Sequence, residues 1–397
     1  MHDVTREARG ADRLAVLVAP RSSRVSTAPL TIGVEEEFLL IDPVSGRVVP
    51  AAEEVLRRVP DRVAPRLVHE LTRFQLETNS AVHTDLRALL GDLLETRTAL
   101  AAAARAVGVG VAASGTALLG NPGIPPLTVC PRYLAMAREF RGLLQGQGVC
   151  GCHVHVGVPD REEALQVSNH ARPWLSVLQS LAGNSPFADG VDTGYASWRS
   201  VVLGRWPSAE PPPYFRSLGH YERLVDAMLA SGALMDRGMI YWYVRLSDHV
   251  PTVEFRTADT CATAEETVTI AGLVRALVAT ALRDLRAGIP APAVDDCLLR
   301  AAYWRAARDG VEGAGLDLFS GRLMPAWRLV GRLVNHVRAA LEDSGDWRPV
   351  TESLRRLRRI GSGAARQRAA YLRRVHLPDV ADLLVRQTED LSCPSFP

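Results

Sequence analysis

The segment Thr31–Ile41, TIGVEEEFLLI, decides how this chain folds. Read as a strand, it puts Ile32, Val34, Glu36, Phe38 and Leu40 on one face and Glu35, Glu37 and Leu39 on the other. Two carboxylates two residues apart on one face repel each other and lose hydration if enclosed, which a protein tolerates where a cation neutralises them. For this stretch alone the plain alternative is a solvated edge strand with its charges in water. The choice depends on whether other strands bring matching groups to the same place.

Three segments repeat the pattern. In CHVHVGV, His153, His155 and Gly157 share one face, with Val154, Val156 and Val158 opposite. In TVEFRTA, Glu254 and Arg256 point one way and Val253 and Phe255 the other; in FQLET, Gln75 and Glu77 alternate against Leu76. A sheet face carrying Glu35, Glu37, Glu77, Glu254 and two imidazoles would hold unpaired charge if it faced nothing. Oxygen-dominated ligation suits magnesium or manganese better than zinc. A soft Cys/His zinc site at CGCHVH is outweighed by the surrounding carboxylates. Arg256 stands where it could steady a transferred phosphoryl group.

The 397 residues suffice for one large domain or two smaller ones, and 47% hydrophobic with 23% charged residues is ordinary for a soluble globular chain. A net charge of +2 gives no global reason to expect nucleic acid or an acidic membrane surface, and no apolar run is long enough to span a bilayer. Six cysteines without a CxxC pair suggest a reducing cytosol. Residues 1–29 read as a loose N-terminal extension and 30–397 as one catalytic domain, mainly helical over 262–397.

Separated strands dominate the first two thirds. Between them come a helix over Asp85–Val107, another over Arg132–Arg141, and one starting at an Asp160 cap and kinked at Pro173. The Gly-, Asp- and Ser-rich loop Asn184–Arg199 has the length and composition of a functional loop. From Ala264 onward the pattern turns helical almost throughout, including Met324–Leu341. Strands first and helices last predict an α+β fold with a mostly antiparallel sheet.

GVEEE, HELTRFQLE, GCHVHVG, SPFADGVDTGYASWR and TVEFR together resemble the carboxylate–amine ligase, or type 2 glutamate–cysteine ligase, family, from about Thr31 to about Arg275. GSGAARQR near the C-terminus extends the likeness. The resemblance implies a glutamine synthetase-like curved antiparallel sheet, flanked by helices, whose carboxylates bind two or three Mg2+ (or Mn2+) ions with ATP as co-substrate. It implies metal ligands at Glu35, Glu37, Glu70, Glu77, His153 and Glu254, with Arg256 and Glu254 catalytic. It places ATP near Gln75, Arg256 and Arg366, and substrate near Arg199, Thr193, His155, Tyr243 and Arg245. Arg199 is the candidate for gripping a substrate carboxylate, a task that suits a guanidinium's fork. The implied reaction is ATP-dependent amide formation, including γ-glutamyl bonds, through an acyl phosphate. The substrates are a small-molecule carboxylate and an amine, in a cytoplasmic homo-oligomer without nucleic-acid or membrane partners. A metal-dependent amide hydrolase and a non-catalytic nucleotide- or tRNA-binding relative are the other readings.

Three departures bear on substrate choice: Ala117 where relatives carry His, and Tyr243 and Leu246 where Asp and Pro are common. For His155 a substrate or supporting role stands beside a plain structural one. His69 reads as a hydrogen-bonded sheet histidine, Ser114–Thr116 as a strand-end turn and Glu36 as a structural or exposed residue. The Arg-rich tail reads as a solvated helical face, or as one that turns Arg366 and Arg368 in part toward ATP.

Overall fold

The computed structural model describes residues 29–120 and 123–396, so residues 1–28 of the expected extension lie outside it. Seven strands form one sheet: β1 (Ile32–Ile41), β2 (Leu67–His69), β3 (Gln75–Asn79), β4 (Gly110–Ala112), β5 (Gly151–Gly157), β6 (Val244–Leu246) and β7 (Thr252–Asp259). Their order is β2-β3-β1-β5-β7-β6, with β4 also paired to β1, and every pairing is antiparallel. The segment that opened the sequence reading is thus a central strand, which excludes the solvated edge.

Alternation along each strand gives the sheet two unlike faces. Ile32, Val34, Val154, Val156, Val253 and Phe255 are buried on one face and join a core with helices α1 (Leu86–Arg105), α2 (Arg161–Ala171) and α3 (Ala264–Arg286). Each such side chain contributes about 1.5–3 kcal/mol by leaving water. Capping starts these helices where the sequence predicts: Asp85 Oδ1 accepts from Ala88 N–H at 2.9 Å, and Asp160 Oδ1 from Glu163 N–H at 2.9 Å. At Pro173 the chain makes a 3-10 turn, Arg172–Trp174, before the helix resumes at Leu175.

Between β5 and β7 the register slips. Val154 faces Phe255 and Cys152 faces Ala258, so Arg256 and Thr257 together oppose His153. This β-bulge reverses the alternation of β7 beyond Arg256 and brings Asp259 opposite Gly151.

Two expectations need correcting. The last third is not helical throughout: Ala314–Asp317 and Arg322–Pro325 form a hairpin, so the helix expected from Met324 begins at Ala326. Gly321, at φ +68°, allows the turn. The stretch Asn184–Arg199 contains its own short hairpin, Phe187–Ala188 with Val191–Asp192, and ends in a helix, Trp198–Leu203, capped by Ser197, so Arg199 stands in that helix's first turn. Far along the chain, the GSGAARQR segment opens helix α4 (Gly363–Leu372).

Candidate active site

The polar face of the sheet floors a cavity of about 240 Å³. Cross-strand pairing explains how distant residues meet there: Glu37 lies opposite Glu77, Glu35 opposite His153, and His155 opposite Glu254. Two groups of ligand-type atoms result, each drawn within 4.8 Å: Glu35, His153 and Glu254, and Glu37, Glu70 and Glu77. Glu70 joins from the turn just past β2.

In the first group, His153 Nδ1 lies 3.0 Å from Glu35 Oε2, while its Nε2 is buried without a hydrogen-bond partner, 3.9 Å from Glu37 Oε1. A proton on Nδ1, shared with the carboxylate, leaves the Nε2 lone pair free for a cation. Burial, and then Arg256, push the His153 imidazole down to about 4, so it is neutral at pH 7. Burial works to raise the Glu35 carboxyl, yet hydrogen bonds with His153 and His155 hold it well below the ordinary range. Burial likewise opposes ionisation of Glu254, and Arg256 and Arg245 outweigh it.

The second group is the opposite case. Glu37 accepts Gly151 N–H at 2.6 Å, Glu70 accepts Leu71 N–H at 2.7 Å, and Glu77 accepts from Asn79 Nδ2 at 3.1 Å. These few donors do not offset enclosure. Burial, with Glu37 beside it, pushes Glu70 up to about 7. Burial and the neighbouring carboxylates raise Glu77 well above its usual value. Three crowded acids with so few donors, beside an orphaned imidazole nitrogen, fit a hard divalent cation.

A prediction follows from the sign of the Glu70 shift. At Glu70 the metal-free folded state binds more protons than the unfolded chain between about pH 4.5 and 7, so its contribution to stability falls as pH rises through that window, while the lowered His153 works in the opposite sense between about pH 4 and 6.5. Mg2+ is expected to reverse the loss and to release protons on binding. Melting curves with chelator and with Mg2+ should separate as pH rises. Coincident curves from pH 5 to 8 would remove this pocket as a metal site.

Around the carboxylates stand Arg199, Arg245 and Arg256. Arg256 pairs with Glu254 and reaches His153 Nδ1 at 3.3 Å. Arg199 is 3% exposed and lies against Gly151, where any Cβ would overlap its guanidinium; among the described residues its side-chain hydrogen bonds reach the Arg256 carbonyl alone, at 3.4–3.5 Å, and its charge bears on Glu37. Its Nε has no partner. It is a buried cation with donors to spare, suited to an incoming carboxylate.

The profile of glutamate-cysteine ligase family 2 matches residues 31–386. The chain belongs to that family. A family relative from Saccharopolyspora erythraea, provisionally named glutamate–cysteine ligase 2-1, is 49% identical over 360 residues, 90% of this chain and 95% of its own. One from Salinispora arenicola, provisionally glutamate–cysteine ligase 2, is 47% identical over 349 residues, 88% and 92% of the two chains. Among solved structures, the glutamate–cysteine ligase of Francisella tularensis, in complex with AMP, has a TM-score of 0.65 at 12% identity over 93% of this chain and 91% of its own. A bifunctional glutathione synthetase from Pasteurella multocida has a TM-score of 0.68 at 14% identity over 91% of this chain; the chain spans 52% of that protein. At these identities the likeness is one of fold.

Within this glutamate–cysteine ligase family 2 chain, the predicted residues separate by position. Glu35, Glu37, Glu70, Gln75, Glu77, His153, Arg199, Arg245 and Arg256 line the cavity, and Glu254 joins them beneath Arg256. The Gln75 amide is taken up by the Val149 carbonyl at 2.8 Å and the Thr72 hydroxyl at 2.7 Å. Arg245 spends its donors on Glu254 and on the Gly238 and Ile240 carbonyls, so it orients Glu254 and has little left for a substrate. His155 stands behind the cavity, between Glu35 Oε1 at 3.1 Å and Thr252 Oγ1 at 2.9 Å.

Three candidates lie elsewhere. Thr193 caps its own loop, donating to the Pro186 carbonyl at 2.9 Å and accepting from Tyr195 N–H at 3.2 Å. Tyr243 precedes β6, so strand alternation does not govern it; it stacks on Tyr303 at 4.2 Å. Arg366 is paired with Glu266 at 2.6 Å. Of the departures, Leu246 is core, and Ala117 borders a neighbouring cavity with Phe74 and Arg205. Sequence reading missed Tyr133, Gln147 and Trp206 on the cavity wall, since each lies on a segment with no polar alternation; Tyr241, within the aromatic run 241–243 that reads as sheet core or pocket wall, lines it as well. Glu36 is structural and wholly buried, gripped by Arg97.

Proposed function

We infer that this chain is an ATP-dependent carboxylate–amine ligase. The observation that carries the reading is a single cavity lined by Glu35, Glu37, Glu70, Glu77, the neutral His153 and the unspent Arg199. An acid substrate's carboxylate oxygen attacks the γ-phosphorus of ATP, releasing ADP and leaving an acyl phosphate. The amine nitrogen then attacks the acyl carbon, phosphate departs and the amine gives up a proton.

Arg199 holds a carboxylate of the acid, and Arg256 faces the moving phosphoryl group. Glu37, Glu70 and Glu77, with the free His153 Nε2 beside Glu37, would hold one Mg2+ or Mn2+, and Glu35 and Glu254 would help to hold another. Bound there, such ions supply positive charge where carboxylate and triphosphate gather. Amino acids are the substrate class we propose, with glutamate as acid and cysteine as amine by analogy with the relatives' names; Ala117, Tyr243 and Leu246 leave other pairs to be screened. Neither the hydrolase nor the non-catalytic reading has an observation in its favour. Among the described residues no helix is long and apolar enough to cross a membrane.

The test is a mass-spectrometric screen of amino-acid pairs with ATP and Mg2+. ADP and a condensed product should form together, and only when acid and amine are both present. Amide cleavage without nucleotide, or no ADP from any pair by folded protein that binds ATP, would overturn the assignment.

A further inference from the structure

Three features unused by the mechanism meet at the root of the loop Asn184–Arg199: the Ser114–Thr116 turn, the GSGAARQR helix and Asp259. Asp259 is buried at the end of β7, on the face to which the bulge turns it. Its Oδ2 accepts from Asn184 N–H at 2.9 Å and Ser185 Oγ at 2.6 Å, and its Oδ1 from Ser197 Oγ at 2.7 Å. Ser185 Oγ in turn accepts the backbone N–H of Arg199 at 3.1 Å. One carboxylate thereby ties both ends of the loop to the strand that carries Glu254 and Arg256. Gly115 has no side chain because a Cβ would come 2.7 Å from Asp259 Cγ.

Helix α4 closes the other side. Gln367 Nε2 donates to the Asn184 carbonyl at 3.0 Å and to its Oδ1 at 2.8 Å, and a Cβ on Gly363 would overlap that Oδ1. Arg368 forks onto Asp192 at 2.7 and 2.8 Å and reaches the Tyr195 carbonyl at 2.9 Å, fastening the outer part of the loop. Arg199 itself has only long contacts to one carbonyl, so the backbone beneath it sets where its guanidinium sits.

We propose that Asp259, Gln367 and Arg368 are positioning residues that hold this loop, and through it Arg199, at the acid-binding end of the cavity. The GSGAARQR segment serves as a clasp and not as a nucleotide site. This rests on Arg199 gripping the acid substrate.

The experiment uses the full chain with Arg368→Ala, Arg368→Lys, the swapped pair Asp192→Arg with Arg368→Asp, and Asp259→Asn. Arg368→Ala changes a part-exposed pair, so the fold should hold. Its KM for the acid should rise roughly tenfold, while kcat and the KM for ATP shift less than about twofold. Hydrogen exchange over residues 186–199 should quicken, with the rest of the chain unchanged. Lysine and the swapped pair should recover much of the loss, and Asp259→Asn should act in the same direction. Unchanged exchange in both Arg368→Ala and Asp259→Asn overturns the clasp whatever the activity. So does faster exchange without a rise in acid KM, where Arg199→Ala does raise it. If Arg199→Ala leaves that KM unmoved, the reading of Arg199 fails and the positioning role goes with it.

Discussion

Arg256→Ala is expected to lower kcat for ligation by roughly 10³-fold while leaving Mg2+ binding in place. Losing a preorganised cation from a transferring phosphoryl group costs about this much, and more in some phosphotransferases. The carboxylates should survive the change because Glu254 keeps a second partner, Arg245, at 2.7 Å. Lysine at this position should recover only part of the rate: it restores charge but not the planar set of donors that a guanidinium offers a phosphoryl group while paired with Glu254. ADP release in a coupled assay, with calorimetric titration of Mg2+ alongside, separates the two effects. A loss under tenfold would remove Arg256 from the reacting phosphoryl group. A parallel loss of Mg2+ binding would instead make it a support for the metal ligands.

The largest effect on stability should come from the face of β1 that carries no chemistry. Glu36 is wholly buried and takes two bonds from Arg97, at 2.6 and 3.0 Å, and one from Thr267 Oγ1 at 2.6 Å. Arg97 also reaches the Cys261 carbonyl at 3.0 Å. Removing one member strands a buried charge, which typically costs about 3–5 kcal/mol. Arg97→Met should therefore lower stability by that order in chemical denaturation. Arg97→Met with Glu36→Gln should recover much of it, because no uncompensated charge remains. Equal losses for single and double variants would show that the shape of the guanidinium, not charge balance, matters there.

These two residues mark the limits of what the sequence discloses. Glu254 and Arg256 were legible because alternation over VEFR needs nothing beyond the strand itself. Glu36 was legible only as a residue on the wrong face, since its partner lies 61 positions away on α1 and no local pattern links them. Asp259 was hidden by the bulge: unbroken alternation over TVEFRTAD places it opposite to Glu254, and the extra residue reverses that. Tyr243 was named through the resemblance and not through any local pattern; it stands just ahead of β6 and stacks on Tyr303. Arg366 and Arg368 were grouped as neighbours toward ATP, yet they diverge to Glu266 and Asp192 on different segments. The central strand, the antiparallel sheet and the helical tail follow from period and capping. Partners drawn from distant segments do not.

The clasp bears on the order in which the molecule is made. Gln367 meets Asn184 across 183 residues, and Arg368 meets Asp192 across 176. Every strand of the sheet and both carboxylate groups precede residue 260, but the sheet's apolar face is covered by α3, which follows them. The loop bearing Arg199 cannot gain those contacts until Arg368 has left the ribosome. The grip on the acid is therefore among the last features that the growing chain can complete.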